Sequence, residues 1–431
     1  MQLSGWGNYP VVEAEVRDVA DVADIEAGLV NFHGIVYGKG RSYGDSALAG
    51  EVLRTERFDR ILAFDAHTGR VRCQAGVTLA ALLEIFVPRG WFLPVTPGTK
   101  FVTVGGAIAS DVHGKNHHHH GCFSQYVVSL ALLLPDGRIE RCSPVENAEL
   151  FHAVCGGMGL LGVILDAELQ LKPIASAFIE EKTLKAGNLA EVMELFDQHA
   201  AATYSVAWID CLRTGKHLGR SLLMLGEHSE DGGLSLPGKT PVTVPVNLPG
   251  LALNRFSIAA FNALYYQRVR ARETVRRVHY EPFFYPLDRI LHWNRMYGRK
   301  GFAQYQFVIP REAGARGMHE ILRFIADSKR GSFLAVLKLL GAQNANWLSF
   351  PFEGYTLALD FKMDAGLLEF LDRLDRLVLY YGGRIYLAKD ARMSEATFRR
   401  GYPRWERFVE LRRRLGADRV FNSLQSQRLG I

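Results

Sequence analysis

Hydrophobic and polar positions change period along the chain, and the changes mark out its elements. In "GIVYGKGRSYGD" (34–45) an apolar run gives way to glycines, the pattern of a strand entering a tight turn. "RILAFDAHTGRVRCQAGVTLAALLEIFVPRGWFLPV" (60–95) reads as strand, turn, strand, helix, strand, with His67-Thr68-Gly69 at the turn. Its helix has apolar positions at Leu79, Leu82, Leu83 and Phe86, the spacing of one helical face. "VVSLALLLPDGRIERC" (127–142) is a hairpin with Pro-Asp-Gly at its tip. "NAELFHAVCGGMGLLGVILDAELQLKPI" (147–174) reads as helix, glycine loop, strand. The sum is an α+β pattern with glycine at the junctions.

The pattern changes after Lys172-Pro173. "YSVAWIDC" and "GRSLLMLGEH" read as strands, and residues 226–250, rich in Gly, Pro, Ser and Thr, as a long mobile loop. The helix expected after it has a basic end carrying Arg268, Arg270, Arg272, Arg276 and Arg277. That end is either a solvated face or a patch for a phosphate-bearing or membrane-bound substrate. "FAQYQFVIP", "SFLAVLKLLG", "YTLALDFKM" and "GRIYLAKDAR" alternate as strands of one antiparallel sheet, with helices such as "LLEFLDRLDRLVLYYG" between some of them. No internal repeat is evident.

Composition narrows the class. A chain of 431 residues holds two or three domains at roughly 150 residues each. Hydrophobic residues at 48% and charged residues at 22% suit a globular protein with a sizeable core. The net charge of +6 favours acidic partners without choosing among phosphorylated substrates, anionic lipids and nucleic acid. The five cysteines, 73, 122, 142, 155 and 211, form no CxxC pair, so a reducing compartment is expected and a disulfide framework is not. The N-terminal "MQLSGWGNYPVVEAEVRDVADV" is unlike a signal peptide, and no uncharged apolar run reaches the roughly 18 residues of a membrane span. Membrane contact, where it occurs, is expected to be peripheral. The basic residues accompany no nucleic-acid-binding motif.

Three glycine loops carry the candidate chemistry. In "YGKGRSYGDSA" (37–47), Gly38, Gly40 and Gly44 permit backbone N–H groups to face one concavity, as a pyrophosphate requires, although a plain tight turn has the same composition. It is neither a Walker A sequence nor a GxGxxG opening a helix. In "PVTPGTKFVTVGGAIASDVHGKNHHHHG" (94–121), Gly98, Gly105, Gly106 and Gly114 permit close approach to a flat or phosphorylated ligand. Ala107, Ala109 and Ser110 keep the wall thin, and His113 and Lys115 offer polar groups. "CGGMGLLGVI" adds Gly156, Gly157, Gly159 and Gly162. The four histidines 117–120, read as an extended segment, point alternately to opposite sides and cannot converge on one ion. No metal is expected.

These motifs, "GRSYGD", "PGTKFVTVGGAIASDVHGKNHH" and "GGMGLLGVI", in this order, resemble the vanillyl-alcohol-oxidase-type (PCMH-type) FAD-binding family. The C-terminal half is similar to the branch of that family acting on polyprenyl-phosphoryl-ribose, through "WNRMYGRKGFAQYQFVIP", "LSFP", "LDF" and "GGRIYLAKDAR". The resemblance implies a two-domain α+β fold. Residues 1–175 would form the FAD domain and 176–383 a substrate domain with an antiparallel sheet flanked by helices. Residues 384–431 would return to the flavin. It implies an FAD-dependent oxidoreductase that oxidises the 2′-hydroxyl of the lipid-linked ribose to a keto sugar. A separate NAD(P)H-dependent short-chain reductase would complete epimerisation to an arabinose donor for envelope glycans. A quinone would be the electron acceptor, and the site of action the cytoplasmic face of the plasma membrane. The alternative within the fold is a soluble sugar-lactone or alditol oxidase; a non-enzymatic binding protein is disfavoured by Lys389, His113 and both glutamines.

Residue by residue, the resemblance places FAD against Gly38, Lys39, Gly40, Arg41, Ser42, Tyr43, Gly44, Asp45, Gly98, Thr103, Val104, Gly105, Gly106, Ser110, His113, Ile164 and Tyr386. It makes Lys389, His113 and Tyr43 catalytic and sets Lys115, Gln304, Gln306, Lys338 and Lys389 against the substrate. Lys389 would either take a proton or stay charged and grip a phosphate or the reduced flavin. Gln304 and Gln306 alternate on one strand and face one side, suiting sugar hydroxyls or a cross-strand partner. Trp208 and Tyr297 are either near the site or core aromatics. Arg41 stands where many relatives carry a flavin-linked histidine, so FAD is expected to be noncovalent. A family cysteine aligns with Ala358, an asparagine with Thr356 and a tyrosine with Phe284.

Overall fold

The computed structural model describes residues 1–238, 241–249 and 253–431. The N-terminal part is built on two small sheets. Glu15–Asp18 (β1), Ile35–Tyr37 (β2) and Glu51–Arg54 (β3) form a parallel sheet with β3 in the middle. Ile61–Asp65 (β4) and Arg70–Gln74 (β5) form a hairpin whose turn is held by Asp65, which accepts from the His67 N–H at 2.9 Å and the Thr68 hydroxyl at 2.7 Å. Leu79–Phe86 (α1) is capped by Thr78 and buries Leu79, Leu82, Leu83 and Phe86, the face expected from the sequence. Val127–Leu133 (β6), Ile139–Cys142 (β7) and Val163–Gln170 (β8) complete a five-stranded sheet in the order β7-β6-β8-β5-β4. Two short helices, Val104–Ala109 (α2) and His117–His120 (α3), lie between β5 and β6.

The second half centres on one eight-stranded sheet. Its strands are Phe178–Ala186 (β9), Tyr204–Ile209 (β10), Ser221–His228 (β11), Glu273–His279 (β12), Phe302–Pro310 (β13), Ala335–Leu340 (β14), Gly354–Lys362 (β15) and Arg384–Ile385 (β16). They run β12-β9-β11-β10-β14-β15-β13-β16, and every neighbouring pair is antiparallel. Between β11 and β12 lies Arg255–Gln267 (α4). Gly314–Asp327 (α5) and Leu367–Tyr380 (α6) pack together, with Phe324 stacked on Phe370 at 5.3 Å. Asp375 of α6 accepts from the Tyr305 hydroxyl of β13 at 2.9 Å, tying the helix to the sheet. Even-numbered residues 304 and 306 of β13 therefore face away from α6, toward the N-terminal half.

After β16 the chain crosses back. Trp405–Arg414 (α7) and Leu424–Leu429 (α8) pack against the N-terminal half. Gly34 and Phe421 form a parallel bridge, and the Leu424 N–H donates to the Leu48 carbonyl at 2.7 Å. Arg428 of α8 holds Asp45 and Asp390, each at 2.8 Å.

Three expectations change. The helix after the long loop ends at Gln267, before the arginines that were expected on it; Arg276 and Arg277 lie on edge strand β12, where Arg276 pairs with Glu181 across β9 at 2.7 Å. The 226–250 stretch is partly anchored. Val242–Thr243 pairs in parallel with Ile290–Leu291, and Arg295 donates to the Val244 and Pro245 carbonyls. Residues 239, 240 and 250 lie outside the described part. The histidine tetrad is a helical turn, because the His120 N–H donates to the Asn116 carbonyl at 2.7 Å and Gly121, at φ +61°, ends the turn. All five cysteines are free and buried. Among the described residues no helix is long and apolar enough to cross a membrane.

Candidate active site

The site forms where the 37–45 turn, the 94–113 segment, one face of β14-β15-β13 and the segment after β16 meet. In the first turn, Gly40 has φ +58° and faces the Tyr37 ring so closely that a Cβ would overlap it. Gly44 is backed by the Asp390 carbonyl, and the Tyr43 N–H donates to the Ala388 carbonyl at 3.0 Å. This turn is thus fixed by the segment carrying Lys389. Among the described residues, the backbone N–H groups of Lys39, Gly40, Arg41 and Ser42 have no protein acceptor. The Arg41 guanidinium lies over the Trp6 ring at 4.1 Å, and its Nε is buried without a partner. Burial lowers the Arg41 pKa, and Asp288 opposes that effect. Open N–H groups beside a half-buried guanidinium whose Nε has no partner suit a phosphorylated, anionic cofactor such as FAD.

The second loop supplies close approach rather than donors. Thr103 caps α2, and its Oγ1 accepts from the Gly106 N–H at 3.1 Å. The Val104 and Gly105 N–H groups donate to the Val77 and Ala75 carbonyls. The N–H groups of 104–106 are therefore committed within the protein, and only a thin backbone wall is offered to a flat ligand. Gly98 has open space before it, and Thr103 sits beside Gly38, joining the two loops. Lys100 ion-pairs with Glu281, and its N–H donates to Asp288 at 2.8 Å, which fastens this loop to the C-terminal half. In the third loop, Gly157, Gly159, Leu161, Gly162 and Ile164 line a narrow crevice.

On the sheet, register brings the polar groups together. Gln304 lies opposite Asp360, Gln306 opposite Ala358, and Lys338 opposite Thr356. Directly opposed residues share a face, so these six line one wall. Gln306 Nε2 donates to His113 Nε2 at 3.0 Å and to Thr356 Oγ1 at 3.2 Å. That geometry assigns the His113 proton to Nδ1, which is buried and has no partner. Burial, with Lys338, His117 and Lys389 nearby, holds the His113 pKa well below its ordinary value, so the ring is neutral. Its faces pack against Phe350 and Tyr386, and the Tyr386 hydroxyl donates to the Ser110 carbonyl at 2.9 Å.

Lys389 Nζ lies 3.7 Å from the centre of the Tyr43 ring. Burial lowers its pKa to about 7, against the opposing pull of Asp360. Asp360 is fully buried and accepts from Gln304 Nε2 at 2.6 Å and from the Tyr297 hydroxyl at 3.4 Å. Burial raises its pKa to about 7, opposed by those hydrogen bonds and by Lys389. Two groups of opposite type are therefore both poised near neutrality. Lys338, with no carboxylate partner among the described residues, is lowered to about 8 by burial.

The expected residues His113, Tyr43, Gln304, Gln306, Lys338, Lys389 and Tyr386 are gathered here, and Tyr297 joins them through Asp360. Others serve elsewhere. The Asp45 carboxylate is taken up by Arg428 and holds α8 rather than a cofactor. The Lys39 side chain pairs with Glu56 near the surface at 2.7 Å. Lys115 donates to the Phe283 carbonyl, with its ammonium over the Phe283 ring at 4.3 Å, and burial lowers its pKa to about 7. Trp208 donates to the Phe333 carbonyl at 3.1 Å as a core aromatic. Burial raises the Tyr43 pKa, so it keeps its proton and acts as a wall and cation platform rather than a base. The histidines bond separately: His117 Nδ1 accepts from the Gly341 N–H, His118 and His119 reach the Ala202 and Ala200 carbonyls, and His120 meets the Tyr126 hydroxyl. Asp360 was missed from the sequence, although it continues the every-second-residue series of Thr356 and Ala358 on the same strand, which carried the signal.

Residues 9–143 match the family model described as an FAD binding domain. The chain is 36% identical to the decaprenylphosphoryl-β-D-ribose oxidase of Mycolicibacterium smegmatis over 99% of its own length and 97% of that protein. It is 24% identical to the L-gulono-1,4-lactone dehydrogenase of Mycobacterium tuberculosis over 96% of the chain and 92% of that protein. To the L-gulonolactone oxidase of Bos taurus it is 34% identical, over 44% of the chain and 42% of that protein. Fold, open anion cradle and family match together define an FAD-dependent oxidoreductase. Within that class, the chain belongs to the decaprenylphosphoryl-β-D-ribose oxidase family.

Proposed function

We propose that the chain oxidises the 2′-hydroxyl of a polyprenyl-phosphoryl-β-D-ribose to the 2′-keto sugar. The observation that carries this reading is the Asp360–Lys389 pair, both near neutrality, beside a neutral imidazole and two oriented amides. FAD, when bound, supplies the acceptor for the hydride leaving C2′. Lys389 in its neutral form takes the hydroxyl proton onto Nζ, and Asp360 keeps the resulting ammonium stable in a buried place. Gln304 and Gln306 have their amide N–H groups engaged, which fixes their carbonyls as acceptors for the sugar hydroxyls. Lys338 provides a positive charge for the phosphate. Arginine at position 41 has no ring nitrogen to bond to the flavin, so the cofactor is held without a covalent link.

The keto product requires a reductase that returns hydride to the opposite face, of the NAD(P)H-dependent short-chain class, to give the arabinose epimer. A membrane quinone is the acceptor that suits a lipid-linked substrate, and the cytoplasmic face of the plasma membrane the matching location. Anaerobic mixing with a polyprenyl-phosphoryl-ribose tests the reading through flavin absorbance near ~450 nm. Bleaching by the lipid-linked ribose and not by free lactones is expected. Bleaching by a lactone or alditol alone would overturn it.

A further inference from the structure

Helix α4 is apolar on its outward side. Between Arg255 and Arg268 it carries no charged residue, and Phe256 and Leu264 are 70% and 71% exposed, with Phe261 at 43%. Its inward side is held by buried Ile258 and by Asn262, whose Nδ2 donates to Asp210 at 2.9 Å. A helix on the surface of a soluble domain ordinarily shows the reverse arrangement. Single exposed apolar residues are unremarkable, but three on one helix mark a contact face.

Arginines surround the face. Arg255 lies over the Phe256 ring at 4.4 Å and Arg268 over Tyr265 at 3.8 Å. Arg270 and Arg272 follow, exposed, and make no ion pair among the described residues. Apolar side chains ringed by unpaired cations complement the acyl boundary and the headgroups of an anionic lipid surface.

The face also connects with the active site. Phe261 contacts Phe333 with ring centres 5.6 Å apart, Phe333 stacks on Tyr297 at 5.6 Å, and Tyr297 stacks on Phe302 at 4.2 Å. Phe302 meets Tyr43 at 5.7 Å, and Tyr43 lies under Lys389. A continuous series of ring contacts thus runs from the exposed helix to the lysine, with Tyr297 and Phe302 buried within it.

We propose that α4 seats the protein on an anionic lipid surface and that the substrate's prenyl chain enters along the Phe261–Tyr43 series of rings. The second part rests on the lipid-linked substrate reading; the docking does not. The test uses the FAD-loaded full chain in flotation with vesicles of phosphatidylglycerol and phosphatidylcholine, against phosphatidylcholine alone. Binding to the anionic vesicles is expected, falling about tenfold in F256D/L264D and in R270E/R272E. F256D/L264D should oxidise vesicle-embedded polyprenyl-phosphoryl-ribose about tenfold more slowly, yet oxidise a water-soluble short-prenyl analogue at the unchanged rate. Wild-type protein left unbound by anionic vesicles, or F256D/L264D binding undiminished, overturns the docking. A dimer that F256D/L264D disperses, without vesicle binding, assigns the face to a second copy of the chain and also overturns it. Equal slowing on both substrates refutes the entry path. Flavin left oxidised by both substrates refutes the substrate reading, while the flotation result still decides the docking.

Discussion

Replacing Asp360 with asparagine separates its charge from its shape. Asparagine keeps an oxygen for Gln304 Nε2 and a second polar atom toward the Tyr297 hydroxyl, so the wall is preserved. What disappears is the negative charge opposing the burial of Lys389. An opposite charge within roughly 4–6 Å ordinarily favours the charged form by about 1–3 pK units, on the order of a hundredfold in acidity. Asp360 is itself about half ionised near pH 7, which reduces the effect to roughly tenfold. The direction follows directly. Without the carboxylate the ammonium is less stable, so Lys389 is neutral at lower pH. The acidic limb of flavin reduction, read by anaerobic stopped-flow across pH 5 to 9, should therefore move about one pH unit lower in D360N. At about pH 6, D360N should run nearer to its own plateau than the wild type does. An acidic limb that stays in place would refute the coupling. Loss of reduction at every pH would show that Asp360, not Lys389, takes the proton.

Lys389→Ala should retain FAD, since the cradle of 39–42 is untouched, but lose substrate reduction by at least about a hundredfold, as expected of a lost general base; single-turnover absorbance checks this. Arg41→Gln should release FAD more readily, by about tenfold in Kd for one charge-assisted bond, measurable by flavin fluorescence on dilution. The five thiols should resist a disulfide reagent in the folded protein and react together on unfolding, because each is buried and Cys73, Cys142 and Cys211 are pushed up to about 12. Arg428→Ala should cost about 3–5 kcal/mol by leaving Asp45 and Asp390 buried with no cation, seen as a lower midpoint in urea.

Much of the fold was legible where one pattern left one solution. The spacing of Leu79, Leu82, Leu83 and Phe86 is the buried face of α1, and the alternation around Gln304 and Gln306 gives the wall of β13. Errors arose where local pattern leaves the partner undecided. Five arginines beyond an apolar helix read as its continuation, but cross-strand glutamates draw Arg276 and Arg277 into a sheet edge. Four histidines have no hydrophobic period, and the extended reading of them failed because the Asn116 carbonyl closes a helical turn. Asp45 sits within a flavin motif, yet its partner is Arg428, 383 positions away. No local rule reaches that far. Asp360 was hidden for the opposite reason: a carboxylate on a buried strand reads as ordinary until Gln304 and Lys389 are placed around it.

The bond from Arg428 to both Asp45 and Asp390 has a consequence for biosynthesis. Asp45 ends the cradle turn and Asp390 follows Lys389, so one guanidinium near the end of this sequence clamps the two halves of the flavin site. While the chain is still emerging from a ribosome, the turn at 37–45 lacks its backing from the Asp390 carbonyl and the Ala388 carbonyl that receives Tyr43. The N-terminal segment that matches an FAD binding domain thus finishes its pocket only after translation has passed residue 428. A chain truncated before residue 428 should therefore hold FAD more weakly than the full sequence, although its matched FAD-binding segment is intact.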